Sequence, residues 1–380
     1  MAKAPTRLRV AVLYGGRSGE HEISLISAAS VIRNLDPDRY EVIPVGIDKD
    51  GVWHLNSMKL IEKQLQKALP MLKDTPQVVL PPAPSDGGSA LIALGAGPDS
   101  RKTVDVVFPV MHGPLCEDGT IQGLLELAGV PFVGCGVLGS ALGMDKAVAK
   151  KLVGLAGLAT AKGIEVRWDE WAHRKAQVLE QAKKSLPLPM FVKPVNMGSS
   201  VGVHKVKTAA ELEPALEDAF RYDTKVLIEQ GIAAREIELS VLENIDGGDP
   251  LVSIPGEIIP SHEFYSYESK YLDENGAKLE IPAKITPDQV KEAQRMGRVA
   301  FRALECEGMA RVDLFLDKDT GRFYFNEVNT IPGFTSISMY PKLWEASGIG
   351  YSELLDRLIQ LALRRHERKS HLKTEGRPGS

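Results

Sequence analysis

Residues 8 to 16, LRVAVLYGG, form a run that is apolar apart from Arg9 and ends in two glycines, and Ile23, Ile26, Ala29 and Ile32 follow at helical spacing. A short run that is apolar at nearly every position reads as a strand buried on both faces, delivered by a glycine turn into a helix. The order repeats: EVIPVGI (41 to 47) and TVDVVFPVMH (103 to 112) read as strands, and IQGLLELAGV as a helix leading to PFVGC. Apolar strands alternating with helices predict a mostly parallel sheet.

At 380 residues the chain is too long for one ordinary core. We expect an N-terminal α/β domain over 1–139, a central unit over 140–232, a third over 233–364, and a polar, basic, disordered tail over 365–380. The stretch from about 74 to 102, rich in Pro, Gly, Ser and Asp, reads as a long mobile insertion. The central unit holds the strand, flexible loop, strand pattern PMFVKPVNMGSSVGVHKV, and the third unit holds strands at REIELSVLE and PLVSIPGEII and a helix from about 287 to 306. Forty-six Lys and Arg against 50 Asp and Glu, interspersed, speak against a nucleic-acid partner. Cys116, Cys135 and Cys306 lack C-x-x-C spacing, so no disulfide framework or zinc site is implied, and a reducing compartment fits. Nowhere do eighteen uncharged apolar residues run together, which predicts a cytoplasmic protein without a membrane span.

RVDLFLD and RFYFNEVN are β-type runs joined by KDTG, a turn sequence, and so predict an antiparallel hairpin. Depending on where the turn centres, Asp313 lies opposite or beside Glu327, with Arg311 near Asn329. Alternation puts Glu327 and Asn329 on one face with Asp313, and Phe315, Phe323 and Phe325 on that same face. Opposed carboxylates repel, so a cation between them is one reading; hard oxygens too few for a closed cage suit Mg²⁺ completed by water and phosphate. Arg311 would stabilise charge on a transferred phosphoryl group. A solvated hairpin face with incidental acids is the other reading.

In FVKPVNMGSSVGV, Lys193 interrupts an apolar strand, and Gly198 and Gly202 allow close backbone approach to an anion, with Ser199 and Ser200 beside them. The loop matches neither G-x-x-x-x-G-K-[ST] nor G-x-G-x-x-G. A plain hairpin loop with an edge lysine stands beside the phosphate reading. Lys146 in SALGMDK can reach phosphates as a point charge, or be merely solvated. Glu229 at a strand end and Glu236 shortly after can accept from an adenine amino group and a ribose hydroxyl. Glu22 follows the glycine turn near a helix start, where an acid caps the helix or holds an ammonium. His112 closes a buried strand, where open α/β sheets bind ligands.

The segments GGRSGEHEISL, HGPLCEDGTIQG, SALGMDK, FVKPVNMGSSVGV, VLIEQ, FYSYESKY, ARVDLF and FNEVNTIPGFTSISM, in this order, resemble the D-alanine–D-alanine ligase family of ATP-grasp enzymes over residues 7 to 360. The resemblance implies an ATP-grasp fold, with ATP held between the central and C-terminal domains. It implies two Mg²⁺ ions, replaceable by Mn²⁺: one on Asp313 and Glu327, the other on Glu327 and Asn329. Lys146, Lys193, Ser200, Glu229, Gln230, Ile232, Glu236, Lys270, Asn326 and Glu327 would then contact ATP, with Glu229 and Ile232 at the adenine, Glu236 at the ribose and Lys270 on the γ-phosphate from a mobile lid.

The implied reaction joins two D-alanine molecules through an acylphosphate for peptidoglycan synthesis, in a homodimer. Glu22 would grip the first ammonium, Arg311 the oxyanion, and Ser338 with Met339 the second carboxylate. Gly333 and His112 would be further substrate contacts. Ser199 would link Glu22 to Tyr271, and a tyrosine there goes with dipeptide rather than depsipeptide products. A D-alanine–D-lactate ligase and a non-catalytic nucleotide-binding regulator are the rival readings.

Overall fold

The structure is a computed structural model, and it describes residues 7–62, 69, 75–83, 89–95, 101–260 and 277–373. The first unit runs β1 (Leu8–Gly15), α1 (His21–Asn34), β2 (Tyr40–Ile47), β3 (Trp53–Leu55), α2 (Met58–Glu62), β4 (Val78–Val79), β5 (Ala90–Ala93), β6 (Arg101–Thr103), β7 (Val106–Val110) and α3 (Thr120–Leu127). Its sheet has the order β3-β2-β1-β7, with β1 parallel to both β2 and β7 and only β3 antiparallel, as the alternation of strands and helices predicts. β1 lies centrally, which is why Val10 through Tyr14 are buried on both faces.

The stretch expected to be a mobile insertion instead carries a small antiparallel sheet, β4-β5-β6. The reason is apolar: Val78, Leu80 and Leu91 are buried against the first sheet's core. Residues 84–88 and 96–100 of it lie outside the described residues.

Next come α4 (Val137–Met144), α5 (Lys146–Leu155), β8 (Gly163–Arg167), α6 (Trp168–Ser185), β9 (Met190–Pro194), β10 (His204–Val206), α7 (Leu212–Ala219) and β11 (Lys225–Gln230). Their strands form an antiparallel sheet in the order β10-β9-β11-β8. Asp145 starts α5 by accepting from the amides of Ala147 at 3.1 Å and Val148 at 3.0 Å. That cap fixes the direction in which the first lysine of the helix leaves the backbone.

The remaining elements are β12 (Ala234–Leu242), β13 (Leu251–Val252), β14 (Gly256–Pro260), β15 (Ala277–Glu280), α8 (Pro287–Ala303), β16 (Met309–Asp317), β17 (Phe323–Asn329), α9 (Met339–Ala346) and α10 (Tyr351–Ser370). The third sheet is antiparallel in the order β15-β14-β12-β16-β17, with β13 added to β12. α8 begins with a reciprocal cap: Thr286 Oγ1 accepts from the Gln289 amide at 3.2 Å, and Gln289 Oε1 accepts from the Thr286 amide at 3.0 Å. Its Ala293, Met296 and Ala300 pack behind β12 and β16 and turn the opposite face of that sheet toward the second one.

The tail begins later than residue 365. α10 continues to Ser370 because Arg365 falls on the helix's buried stripe with Leu354, Leu358 and Leu361. Arg365 is 4% exposed, donates to the carbonyl of Phe132 at 2.6 Å and stacks over the Phe132 ring. α10 thereby packs on the first sheet, and each fully buried leucine contributes roughly 1.5–3 kcal/mol there. Residues 374–380 lie outside the described residues, and no helix among the described ones is long and apolar enough to cross a membrane.

Candidate active site

The hairpin of β16 and β17 sets Asp313 directly opposite Glu327 and Arg311 directly opposite Asn329. The two strands then fall out of simple register: a β-bulge leaves Asn326 unopposed, so Leu314 faces Phe325 and Leu316 faces Phe323. The expectation that Phe323 and Phe325 share a face with Asp313 is therefore corrected. One extra residue flips the strand, both phenylalanines go into the core with Leu314 and Leu316, and Phe315 alone stays with the acids.

Arg311 grips Asp313 with two parallel bonds, Nε to Oδ1 at 2.8 Å and Nη2 to Oδ2 at 2.7 Å. Its Nε also lies 3.1 Å from Oε2 of Glu238, which stands opposite Asp313 on β12. Lys146, the first residue of α5, places Nζ 3.3 Å from Glu327 Oε2 and donates to the Met197 carbonyl at 2.7 Å.

Asp313, Glu327 and Asn329 fit a hard cation. Asn329 Oδ1 is buried and accepts no hydrogen bond from the described residues, a costly state for an amide oxygen that a cation would relieve. Among the described residues no group of three His, Cys, Asp or Glu side chains is arranged to hold a metal. Two carboxylates and one amide are an incomplete donor set, which suits an ion that keeps waters and phosphate oxygens.

Deeper in the cleft Glu229, at the end of β11, is 1% exposed. Its Oε1 is 2.7 Å from Lys150 Nζ and its Oε2 2.8 Å from Lys193 Nζ. Burial alone would raise its pKa, but the two ammonium groups hold it down to about 2. Burial works against the Lys193 ammonium too, and Glu229 outweighs it, so that lysine titrates above its usual value. Lys193 lies over the ring of Phe315 at 5.8 Å, tying the second sheet to the third across the cleft. Glu236 faces Phe315 on β12, and Gln230 and Ile232 edge the same opening, half-buried.

At the other end the glycine–serine loop reaches the first unit. Ser199 and Ser200 take left-handed backbone angles, φ 50° and 61°. The Ser199 hydroxyl donates to a carboxylate, but that of Glu20, not Glu22. Glu20 is buried between two glycines: a Cβ on Gly113 would come within 2.7 Å of its Oε2, and one on Gly198 within 2.9 Å. Glu22 points away, with a side chain 61% exposed and paired to Lys49 at 2.9 Å. The expected Ser199–Glu22 link is thus corrected, because the two acids lie two residues apart at a helix start and leave it in different directions.

His112 is buried beside this corner, Nδ1 3.1 Å from the Ile331 carbonyl and Nε2 3.1 Å from the Ser27 hydroxyl. Burial opposes its charged form, but Glu117, with Oε1 3.8 Å away, and Glu20 raise its pKa above the ordinary value. Beyond β17, Gly333 packs on Ser338, which precedes α9; the first-turn amides of that helix, Met339 included, favour an anion. The Met339 side chain itself is buried with Ile258 and Leu343. Lys270 and Tyr271 lie outside the described residues. Glu20, Glu117, Lys150 and Glu238 escaped the sequence reading; only their places inside GGRSGEHEISL, HGPLCEDG, MDKAVAKK and REIELS marked them.

Two antiparallel sheets that close on a row of lysines, carboxylates and Arg311, attached to a parallel α/β unit, define an ATP-grasp protein. Residues 9–135 match the model described as D-ala D-ala ligase N-terminus, and residues 152–360 the one described as D-ala D-ala ligase C-terminus. The chain belongs to the D-alanine–D-alanine ligase family. It is 54% identical to D-alanine–D-alanine ligase A of Bradyrhizobium diazoefficiens over 96% of this chain and 98% of that one, and 49% identical to the D-alanine–D-alanine ligase of Caldicellulosiruptor bescii over 97% and 98%. The solved D-alanine–D-alanine ligase of Coxiella burnetii superposes with a TM-score of 0.79 at 34% identity, covering 96% of both chains. The VanG D-Ala:D-Ser ligase of Enterococcus faecalis superposes at 0.80 with 37% identity, over 94% of this chain and all of that one.

Proposed function

We propose that this chain ligates two molecules of D-alanine to D-alanyl-D-alanine, converting ATP to ADP and phosphate, as a cytoplasmic homodimer serving peptidoglycan synthesis. The observation that carries the chemistry is the register of the hairpin, which gathers Asp313, Glu327, Asn329 and Arg311 on one face beside Lys146.

In this reading a carboxylate oxygen of the first D-alanine attacks the γ-phosphorus and ADP leaves, giving an acylphosphate. The amine of the second D-alanine, having lost a proton, attacks the acyl carbon and expels phosphate. Asp313 and Glu327 hold one Mg²⁺, Glu327 and Asn329 another, with Mn²⁺ as a substitute. When bound, the ions neutralise phosphate charge and align the transferred group. Glu20 takes the role expected of Glu22: a buried carboxylate fixed by Ser199 is the group suited to hold the first ammonium.

Arg311 supports charge on the oxyanion; its two bonds to Asp313 and the nearby Glu238 fix its plane. Ser338 and the amides at the start of α9 receive the second carboxylate. Lys146, Lys193 and Ser200 hold phosphates, with Asn326 a further contact, and Glu229, Gln230, Ile232 and Glu236 hold the nucleoside. Lys270 adds a further phosphate contact, and excluding water from the cleft protects the acylphosphate from hydrolysis. Tyr271 supports an amine acceptor over D-lactate, and the intact Arg311 and metal acids speak against a non-catalytic regulator.

The test is phosphate release by purified protein, which should require Mg²⁺, ATP and D-alanine together. Equal release without D-alanine would refute the proposal, and light scattering in solution tests the dimer.

A further inference from the structure

α5 presents two lysines one helical turn apart. Lys146 reaches Glu327 at the metal end of the cleft, while Lys150 reaches Glu229 at the opposite end. Lys150 is buried, and its Nζ, 2.7 Å from Glu229 Oε1, also lies 3.5 Å from the carbonyl of Phe325, next to the bulge on β17. It therefore touches the second sheet and the third at once. With Lys193 beside Oε2, each carboxylate oxygen of Glu229 faces one ammonium, and the two ion pairs together oppose rotation of the group.

The two lysines are not equivalent. Lys193 also faces the cleft over Phe315 and feels Glu236, so it has another partner to turn to when a nucleotide enters. Lys150 is enclosed, with Glu229 as its nearest anion.

We propose that Lys150 is a positioning residue for base recognition: it holds Glu229 in the one orientation that accepts an exocyclic amino group, and so sets the preference for adenine over guanine nucleotides. A 6-oxo group at that place would set two acceptors against each other, and the discrimination lasts only while the carboxylate cannot swing aside. The inference rests on the reading that the cleft binds ATP with Glu229 at the adenine.

Calorimetric titration of the full-length protein with ADP and with GDP tests it, alongside the ligand-free Tm, for Lys150→Met, Lys150→Arg, Glu229→Gln and the Lys150→Met/Glu229→Gln double variant. Lys150→Met should weaken ADP about tenfold or more and shrink the ADP-over-GDP preference by a similar factor, the scale of one charged hydrogen bond. In the Glu229→Gln background the same change should cost nothing further, since the effect acts through that carboxylate. Should Lys150→Met not fold, Lys150→Arg carries the test, with charge kept, geometry altered and the preference reduced. An unchanged preference in the folded variant, or an equal loss in the Glu229→Gln background, overturns the proposal. Failure of the unsubstituted protein to bind ADP would instead refute the ATP reading of the cleft.

Discussion

The hydroxyl of Ser199, in the glycine–serine loop of the second sheet, donates to the buried carboxylate of Glu20, in the turn after the first strand of the first sheet. One hydrogen bond thus closes the corner where two units meet. Glu20→Gln should raise the KM for D-alanine at least about tenfold, the scale of losing a charged pair, whereas the exposed Glu22→Gln should stay close to the unsubstituted enzyme. Steady-state kinetics of the two variants checks this, and a larger effect at Glu22 would reverse the assignment.

Asp313 stands in direct register with the like charge of Glu327, and that repulsion offsets what its two bonds to Arg311 add to folding. Asp313→Asn should therefore lower kcat by about a hundredfold or more while shifting Tm by only about 2–4 °C in either direction. Calorimetry beside kinetics decides it. A parallel collapse of both would make the pair a structural feature.

Glu229 carries a pH signature. Its carboxyl titrates near 2 when folded against 4.5 for an ordinary glutamate. A pKa lowered by folding contributes stability that is fully present above the unfolded value and fades as pH falls toward the folded one. The stability advantage of the unsubstituted protein over Glu229→Gln should be constant above about pH 4.5 and shrink as pH falls toward about 2. Denaturant unfolding of both proteins across that range is the check, and an advantage that grows on acidification would contradict it.

The hairpin was legible because a KDTG turn between two apolar runs leaves little choice of register near the turn, and the parallel sheet because its strands carry no polar face. The bulge at Asn326 was not, since alternation fixes faces only while the strands stay in step. Glu20 hid behind Glu22 because residues two apart on a helical turn diverge by about 200°, and spacing alone does not say which one faces the neighbouring loop. In α10 the run RRHERKS looks like a solvated tail, yet Arg365 lands on the apolar stripe and answers two backbone carbonyls of another unit. Lys150 was invisible for the same reason: its partner, Glu229, lies 79 residues on and meets it only in the folded cleft.

The most direct test of the account is product analysis by mass spectrometry after incubating the purified protein with Mg²⁺, ATP and D-alanine, with D-serine and D-lactate as competing acceptors. D-alanyl-D-alanine as the main product, formed one for one with ADP, is the result predicted. A dominant D-alanyl-D-lactate or D-alanyl-D-serine product, or ADP formed without any dipeptide, would contradict it.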